Sequence, residues 1–220
     1  MSRFLALLKA THFPQALTMV LLTTVAAALC GLSGFSLIFV VVATASGQAS
    51  IGWVNDLVDL ETDKKLDRKH KPVVRYSLQP ENLRTPIVIA LVVMVPFSFL
   101  AAGWVGGLAN ILAVASAQIY NLYLSRTIWS WLPYAISFAL LTVFIAQSSS
   151  KWPSWQMICI SACVGVIAHI FNALPDLAID KQANLGGLVV SLGKTKSIIV
   201  LVILALILLT LLQLAFNLIR

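Results

Sequence analysis

The chain has 220 residues, of which 60% are hydrophobic and only 10% charged, a balance outside the range of soluble domains. A soluble enzyme or a nucleic-acid-binding module is therefore excluded, and an integral membrane protein remains. The net charge of +7 reads first as a topology signal and second as a hint of anionic lipid or phosphate.

Runs of about 20 apolar residues, the length that crosses roughly 30 Å of hydrocarbon, fall at 14–33, 35–54, 86–104, 107–124, 128–147, 154–174 and 197–218. The expected fold class is all-α, a polytopic membrane helical bundle of about seven transmembrane helices, with residues 1–220 forming a single transmembrane domain. Of the 15 Lys and Arg residues, all except Lys151 and Arg220 flank one set of segment ends, and the 8 acidic residues share that face. Cytoplasmic loops carry the excess of Lys and Arg, so the N-terminus and the acidic face are expected in the cytoplasm. Cys30, Cys159 and Cys163 fall inside spans and read as packing residues. Leu29 ahead of Cys30 argues against a lipoprotein cleavage site. No cleavable signal peptide is evident, because the first apolar run is too long and another follows at once.

Residues 1–13 form a short amphipathic lead, Met1 to Phe13, expected to lie in the interface until Pro14 turns the chain inward. His12 stands at that entry, as a headgroup-solvated histidine or as a residue near the mouth of a site. The second span carries Ala43-Thr44-Ala45-Ser46-Gly47-Gln48-Ala49-Ser50, small residues that let helices approach closely. Gln48 is expected to make an interhelical hydrogen bond or to line a cavity.

That span ends in Asn55-Asp56-Leu57-Val58-Asp59-Leu60-Glu61-Thr62-Asp63. A step of four residues advances a helix by about 400°, so Asn55, Asp59 and Asp63 share a face with Asp56 on its flank. A sparser copy, Asn172, Asp176 and Asp180, follows the sixth span with the same N-x-x-x-D-x-x-x-D spacing. So many carboxylates and amides on one membrane-protein face require a cation, and hard oxygen ligands suit Mg²⁺. Asn55, Asp59, Asp63, Asp176 and Asp180 are the candidate metal ligands.

The basic loop 64–78 follows the first motif directly, where a phosphorylated ligand would need counter-charge. Lys71 and Arg75, on either side of the Pro72 turn, are the candidates to touch it. Pro80 is expected to open the next helix, and Gly103-Trp104-Val105-Gly106-Gly107 to form a tight far-side turn. At the end of the fourth span Tyr123 reads as a belt residue and Tyr120, one turn deeper, as cavity-facing. Trp129, Trp131, Tyr134, Trp152 and Trp155 read as an aromatic belt. His169 lies seven residues before Asp176 on nearly the same face, split between packing and function. Residues 181–194 hold enough glycine to fold back as a lid, and the last span carries no motif.

Two such ladders in a chain with only 8 acids are a specific signal. With Asn55-Asp56-x-x-Asp59-x-x-x-Asp63, Asn172 ahead of Asp176-x-x-x-Asp180, and Tyr120 followed by Arg126, the sequence resembles the UbiA superfamily of intramembrane prenyltransferases over about residues 10–195. The resemblance implies a helical bundle around a central cavity in which Mg²⁺ holds the diphosphate of an isoprenyl donor. It implies catalytic roles for Asp56, Asp59, Asp63, Asp176, Asp180 and Tyr120, and diphosphate contacts from Asn55, Lys71, Arg75, Arg126 and Asn172. The partners implied are a prenyl diphosphate, a small aromatic acceptor of the quinone kind, and the bilayer, with no nucleic acid. Family members usually have nine spans, so a seven-span cavity would be open, completed by a second copy in a homo-oligomer, or sized for another substrate. A non-catalytic isoprenoid-lipid-binding protein and a secondary transporter are the alternative readings.

Overall fold

The computed structural model describes residues 3–69 and 71–217. Met1 and Ser2 of the expected lead, His70 of the basic loop, Leu218 at the end of the last span and the far-side Arg220 lie outside the described residues. Among the described residues the structure is helical and contains no strand. Among the described residues each of the seven expected apolar runs is mostly helical. The chain packs as two compact units, residues 1–114 with 144–151, and residues 115–143 with 152–220.

In the first unit, α1 (Arg3–Ala10) is bent by 68° from α2 (Phe13–Leu29), at the joint expected from Pro14. Helix α2 ends in a turn on Gly31, φ 100, with the Leu32 N–H bonded to the Ala27 carbonyl at 3.1 Å. At that end the Lys151 ammonium donates to the Cys30 carbonyl at 3.1 Å, a cation on the negative pole of the helix. Helix α3 (Gly34–Lys65) has 32 residues, about 48 Å at 1.5 Å per residue. That is well beyond a bilayer core, so its acidic end projects past the hydrocarbon. Ala43, Thr44, Gly47 and Ser50 are buried along it, as the small-residue run requires. Gln48 is half-buried.

The basic loop carries a buried apolar anchor. A one-turn helix α4 (Pro72–Arg75) sets Val73 into an apolar cluster with Ala6, Ala10, Leu60, Leu78, Leu83 and Ile87. Burying these side chains stabilises the segment by about 1.5–3 kcal/mol for each large aliphatic residue. It thereby fixes the backbone of Lys71. Helix α5 (Pro80–Ile119) opens at Pro80, with the Asn82 side chain accepting the Gln79 N–H at 3.0 Å.

Helix α5 runs 40 residues but is broken at Ala102 and Gly103. Asn110 donates to Ser98 at 2.8 Å across 12 residues, which a straight helix would hold about 18 Å apart. The segment therefore doubles back, as the expected far-side turn demands. By length and composition Gly34–Lys65, Pro80–Leu124, Trp155–Ala173 and Leu188–Ala215 are each able to cross a membrane, and the bent α1–α2 pair adds a fifth.

In the second unit the end of α5 passes into a π-helical turn, Tyr120–Leu124, closed by the Ser125 N–H on the Tyr120 carbonyl at 2.8 Å. Helix α6 (Leu132–Ser148) and helix α7 (Trp155–Ala173) approach closely at Gly165, where an added Cβ would lie 2.5 Å from the Tyr134 carbonyl oxygen. Ser154 caps α7 by accepting the Met157 N–H at 3.3 Å. Helices α8 (Leu177–Gln182) and α9 (Leu188–Asn217) complete the unit.

Two expectations about the loops and the aromatic belt differ in the structure. The 181–194 stretch is a loop only as far as Gly187: it folds back, with Gly186 on the Arg126 carbonyl and the Leu188 N–H donating to Ser130 Oγ at 3.1 Å, but α9 is already helical from Leu188. Tyr134 is not a belt residue, because its ring packs inward against Tyr120 and His169. Tyr123, Trp129, Trp152 and Trp155 are exposed, as belt residues are.

Candidate active site

The first motif is one uninterrupted helical stretch. Asn55 Nδ2 donates to Asp59 Oδ2 at 3.3 Å, the expected contact between positions four apart. The burial pattern differs from the expected one, in which Asp56 was a flank residue. Asp56 and Asp63 have no exposed surface, whereas Asn55 and Asp59 are half-buried. Seven residues advance a helix by about 700°, so Asp56 and Asp63 differ by only about 20° and define the inward stripe themselves.

Each buried carboxylate has one oxygen held by a base. Asp56 Oδ1 lies 3.0 Å from His12 Nε2 and 3.5 Å from Lys71 Nζ. Lys71 also donates to Asn55 Oδ1 at 3.3 Å. Asp63 Oδ1 pairs with Arg68 Nη1 at 3.2 Å. The second oxygen of each, Asp56 Oδ2 and Asp63 Oδ2, is buried without a hydrogen-bond partner among the described residues. Arg75 is exposed and lays its guanidinium on the Tyr76 ring, 5.6 Å from the centroid, while Lys9 donates to the Tyr76 hydroxyl at 3.1 Å.

The second motif is not a continuous ladder. Helix α7 ends at Ala173, and α8 begins only at Leu177, with Asp176 at its N-cap. Pro175 lacks the N–H that would continue α7, so Asn172 and Asp176 stand on opposite sides of a turn. Asp176 and Asp180 do share a helical turn, with the Asp180 N–H on the Asp176 carbonyl at 2.9 Å.

Behind this motif lies a polar cluster in which His169 and Ser130 are buried, Tyr120 and Tyr134 half-buried and Asn172 exposed. The Tyr134 hydroxyl makes side-chain hydrogen bonds with Asn172 and Tyr120. His169 is buried, with Nε2 3.0 Å from Ser130 Oγ, and the Tyr120 ring packs edge-on against Tyr134 at 5.1 Å and His169 at 5.8 Å. Tyr120 thus packs against Tyr134 and His169. Arg126 is exposed and meets Gly186 through its carbonyl.

Sequence reasoning passed over Arg68 and Ser130, read Tyr134 as a belt residue, and left His12 open. A signal for Arg68 was its place five residues after Asp63, within reach once α3 ends. Nothing local marks the other three, whose partners lie 39 to 44 residues away for Ser130 and His12.

Among the described residues no three His, Cys, Asp or Glu side chains gather closely enough to enclose a metal by themselves. A cation that takes one or two carboxylates and fills its shell with water and phosphate needs no such cage. The buried, unpartnered oxygens of Asp56 and Asp63 have the chemistry for it. The residues present therefore fit a Mg²⁺-like ion.

A model of the UbiA prenyltransferase family matches residues 16–219. No curated protein sequence matches the chain. Among solved structures it is similar to a UbiA homolog from Archaeoglobus fulgidus bound to GPP and Mg²⁺, with TM-score 0.83 and 17% identity over 99% of this chain and 78% of that one. The same homolog bound to Cd²⁺ gives TM-score 0.79 at 16% identity, covering 99% and 79%. A structure of digeranylgeranylglyceryl phosphate synthase in membranes gives 0.73 at 14% identity, also covering 99% and 79%.

Proposed function

The chain belongs to the UbiA prenyltransferase family, and from that membership we propose that it transfers an isoprenyl group from a prenyl diphosphate to a small, aromatic acceptor in the membrane, with Mg²⁺ as its cofactor. The observation that carries this reading is the pair of fully buried carboxylates, Asp56 and Asp63, each with one oxygen held by a base and the other without a partner. Two buried charges of that kind are costly unless a cation matches them.

Asn55, Asp59 and Asp63 of the first motif, and Asp176 and Asp180 of the second, are assigned to divalent cations, and the unpartnered oxygen of Asp56 adds a further ligand. When bound, these ions neutralise the charge that builds on the departing diphosphate. Lys71, held at Asn55 and Asp56, supplies further positive charge, and Arg75, Arg126 and Asn172 are assigned to the diphosphate oxygens. In the reaction the allylic C–O bond breaks with its electron pair leaving on the diphosphate. The Tyr120 ring, packed edge-on against Tyr134 and His169, stabilises the allylic cation through its π face. An aromatic ring carbon of the acceptor then forms the new C–C bond and releases a proton. The chain is read as one domain of residues 1–220, and the Lys and Arg distribution supports a cytoplasmic N-terminus and cytoplasmic motifs.

The test is product formation. Membranes containing the protein, supplied with GPP, Mg²⁺ and a panel of hydroxybenzoate and naphthoate acceptors, should yield a prenylated product by mass spectrometry. Asp59→Asn and Asp180→Asn should lose it. No product from any prenyl diphosphate and acceptor pair would count against transfer.

A further inference from the structure

Building on the metal-site reading above, we infer that His12 is a positioning residue for the first aspartate motif. It holds one oxygen of Asp56 and so presents the other to an incoming divalent cation.

The contact is built from both sides. His12 sits in the joint between α1 and α2 with φ 55 and ψ 53, a left-handed conformation that a non-glycine residue rarely adopts. Its side chain does not cap α2. Instead the imidazole reaches across 44 residues of sequence to Asp56 Oδ1 at 3.0 Å. A carboxylate only accepts hydrogen bonds, so Nε2 carries the proton and donates.

Helix α3 grips the same joint at two further points. Gly52, four residues before Asp56 and on its face, lets the Thr11 backbone come so close that an added Cβ would lie 2.5 Å from the Thr11 carbonyl. Trp53 Nε1 donates to the Leu7 carbonyl at 2.9 Å. The joint is thus fixed by packing and by a hydrogen bond, and the strained backbone of His12 is held in place by both.

The arrangement is one-sided. Lys71 approaches the oxygen that His12 already holds, at 3.5 Å, while Oδ2 is fully buried and has no hydrogen-bond partner among the described residues. A hydrogen-bond donor on the far oxygen fixes the orientation of a carboxylate that binds metal through the near one. The amphipathic lead is by this reasoning part of the site's construction, in addition to being an interfacial segment.

Manganese binding tests this without an acceptor, and so independently of prenyl transfer. The purified full chain in detergent is titrated with Mn²⁺ in the presence of inorganic diphosphate, and free Mn²⁺ is read by electron paramagnetic resonance. His12→Ala should weaken Mn²⁺ binding by about tenfold or more, while His12→Gln, whose amide nitrogen reaches comparably far, stays within about threefold of the parent. Gly52→Ala changes no polar group yet displaces the joint, so it should weaken binding like His12→Ala and add nothing further in the double variant. Where His12→Ala cannot be isolated folded, His12→Asn takes its place, its amide falling one methylene short. Unchanged affinity in the truncated variant, or a His12→Gln protein as weak as it, would overturn the inference. A parent protein that binds no Mn²⁺ would sink the metal-site reading itself and this inference with it.

Discussion

A carboxylate with no exposed surface must be matched by a cation or protonated, and Arg68 Nη1 stands 3.2 Å from Asp63 Oδ1. Both side chains are largely out of solvent, 10% and 0% exposed, so the pair is poorly screened. Arg68→Ala should therefore destabilise the metal-free protein by about 3 kcal/mol, seen as a lowered midpoint of thermal unfolding in detergent. Recovery of part of the loss with Mg²⁺ and diphosphate is expected, since a bound ligand adds stability by mass action. An unchanged midpoint would mean that Asp63 draws its match from elsewhere. At this scale the spacing of Asn55 and Asp59 was legible, because four residues on a helix always meet. The burial of Asp56 was not, because its partner His12 arrives from a separate stretch and helical angle alone says nothing of which side is covered.

The elements are set by apolar runs and their breaks. Gly103, φ 60 and ψ −163, occupies a region open essentially to glycine alone, and an added Cβ would meet nothing within 4 Å. Gly103→Ala should therefore cost about 1–3 kcal/mol through backbone strain and not through a clash, measurable by unfolding in detergent with function otherwise kept. The seven apolar runs and the Gly-rich turn were readable from composition, because membrane helices must be long and apolar whatever their neighbours. The interruption of the second motif was written in Pro175, but periodicity treats each residue alike and so carries the helix through it. The π-helical turn at Tyr120–Leu124 left no such mark: one extra residue in a turn does not alter an apolar pattern. The role of Val73 was also hidden, since a valine in a basic loop shows its value only when Leu60, Leu78 and Leu83 close around it.

For the whole molecule, the charge distribution makes a claim about sides. With Cys30, Cys159 and Cys163 replaced, single cysteines at Lys65 and Lys181 should react with a membrane-impermeant maleimide only from the cytoplasmic face, and one at Lys151 only from the other. Labelling of all three from one side would contradict the topology. The family and fold were legible because two aspartate motifs rarely arise by chance in so apolar a chain, where each buried carboxylate needs a cation to offset its cost. The acceptor was not, since no short motif in the sequence marks one. Metal-dependent ionisation at the aspartate motifs is the central claim, and release of inorganic diphosphate from GPP by the purified protein measures it most directly. Release that requires Mg²⁺, is abolished by a chelator, and falls at least about a hundredfold in Asp56→Asn and in Asp176→Asn is the predicted result. Release that survives the chelator, or is equal in the parent and both variants, would contradict it.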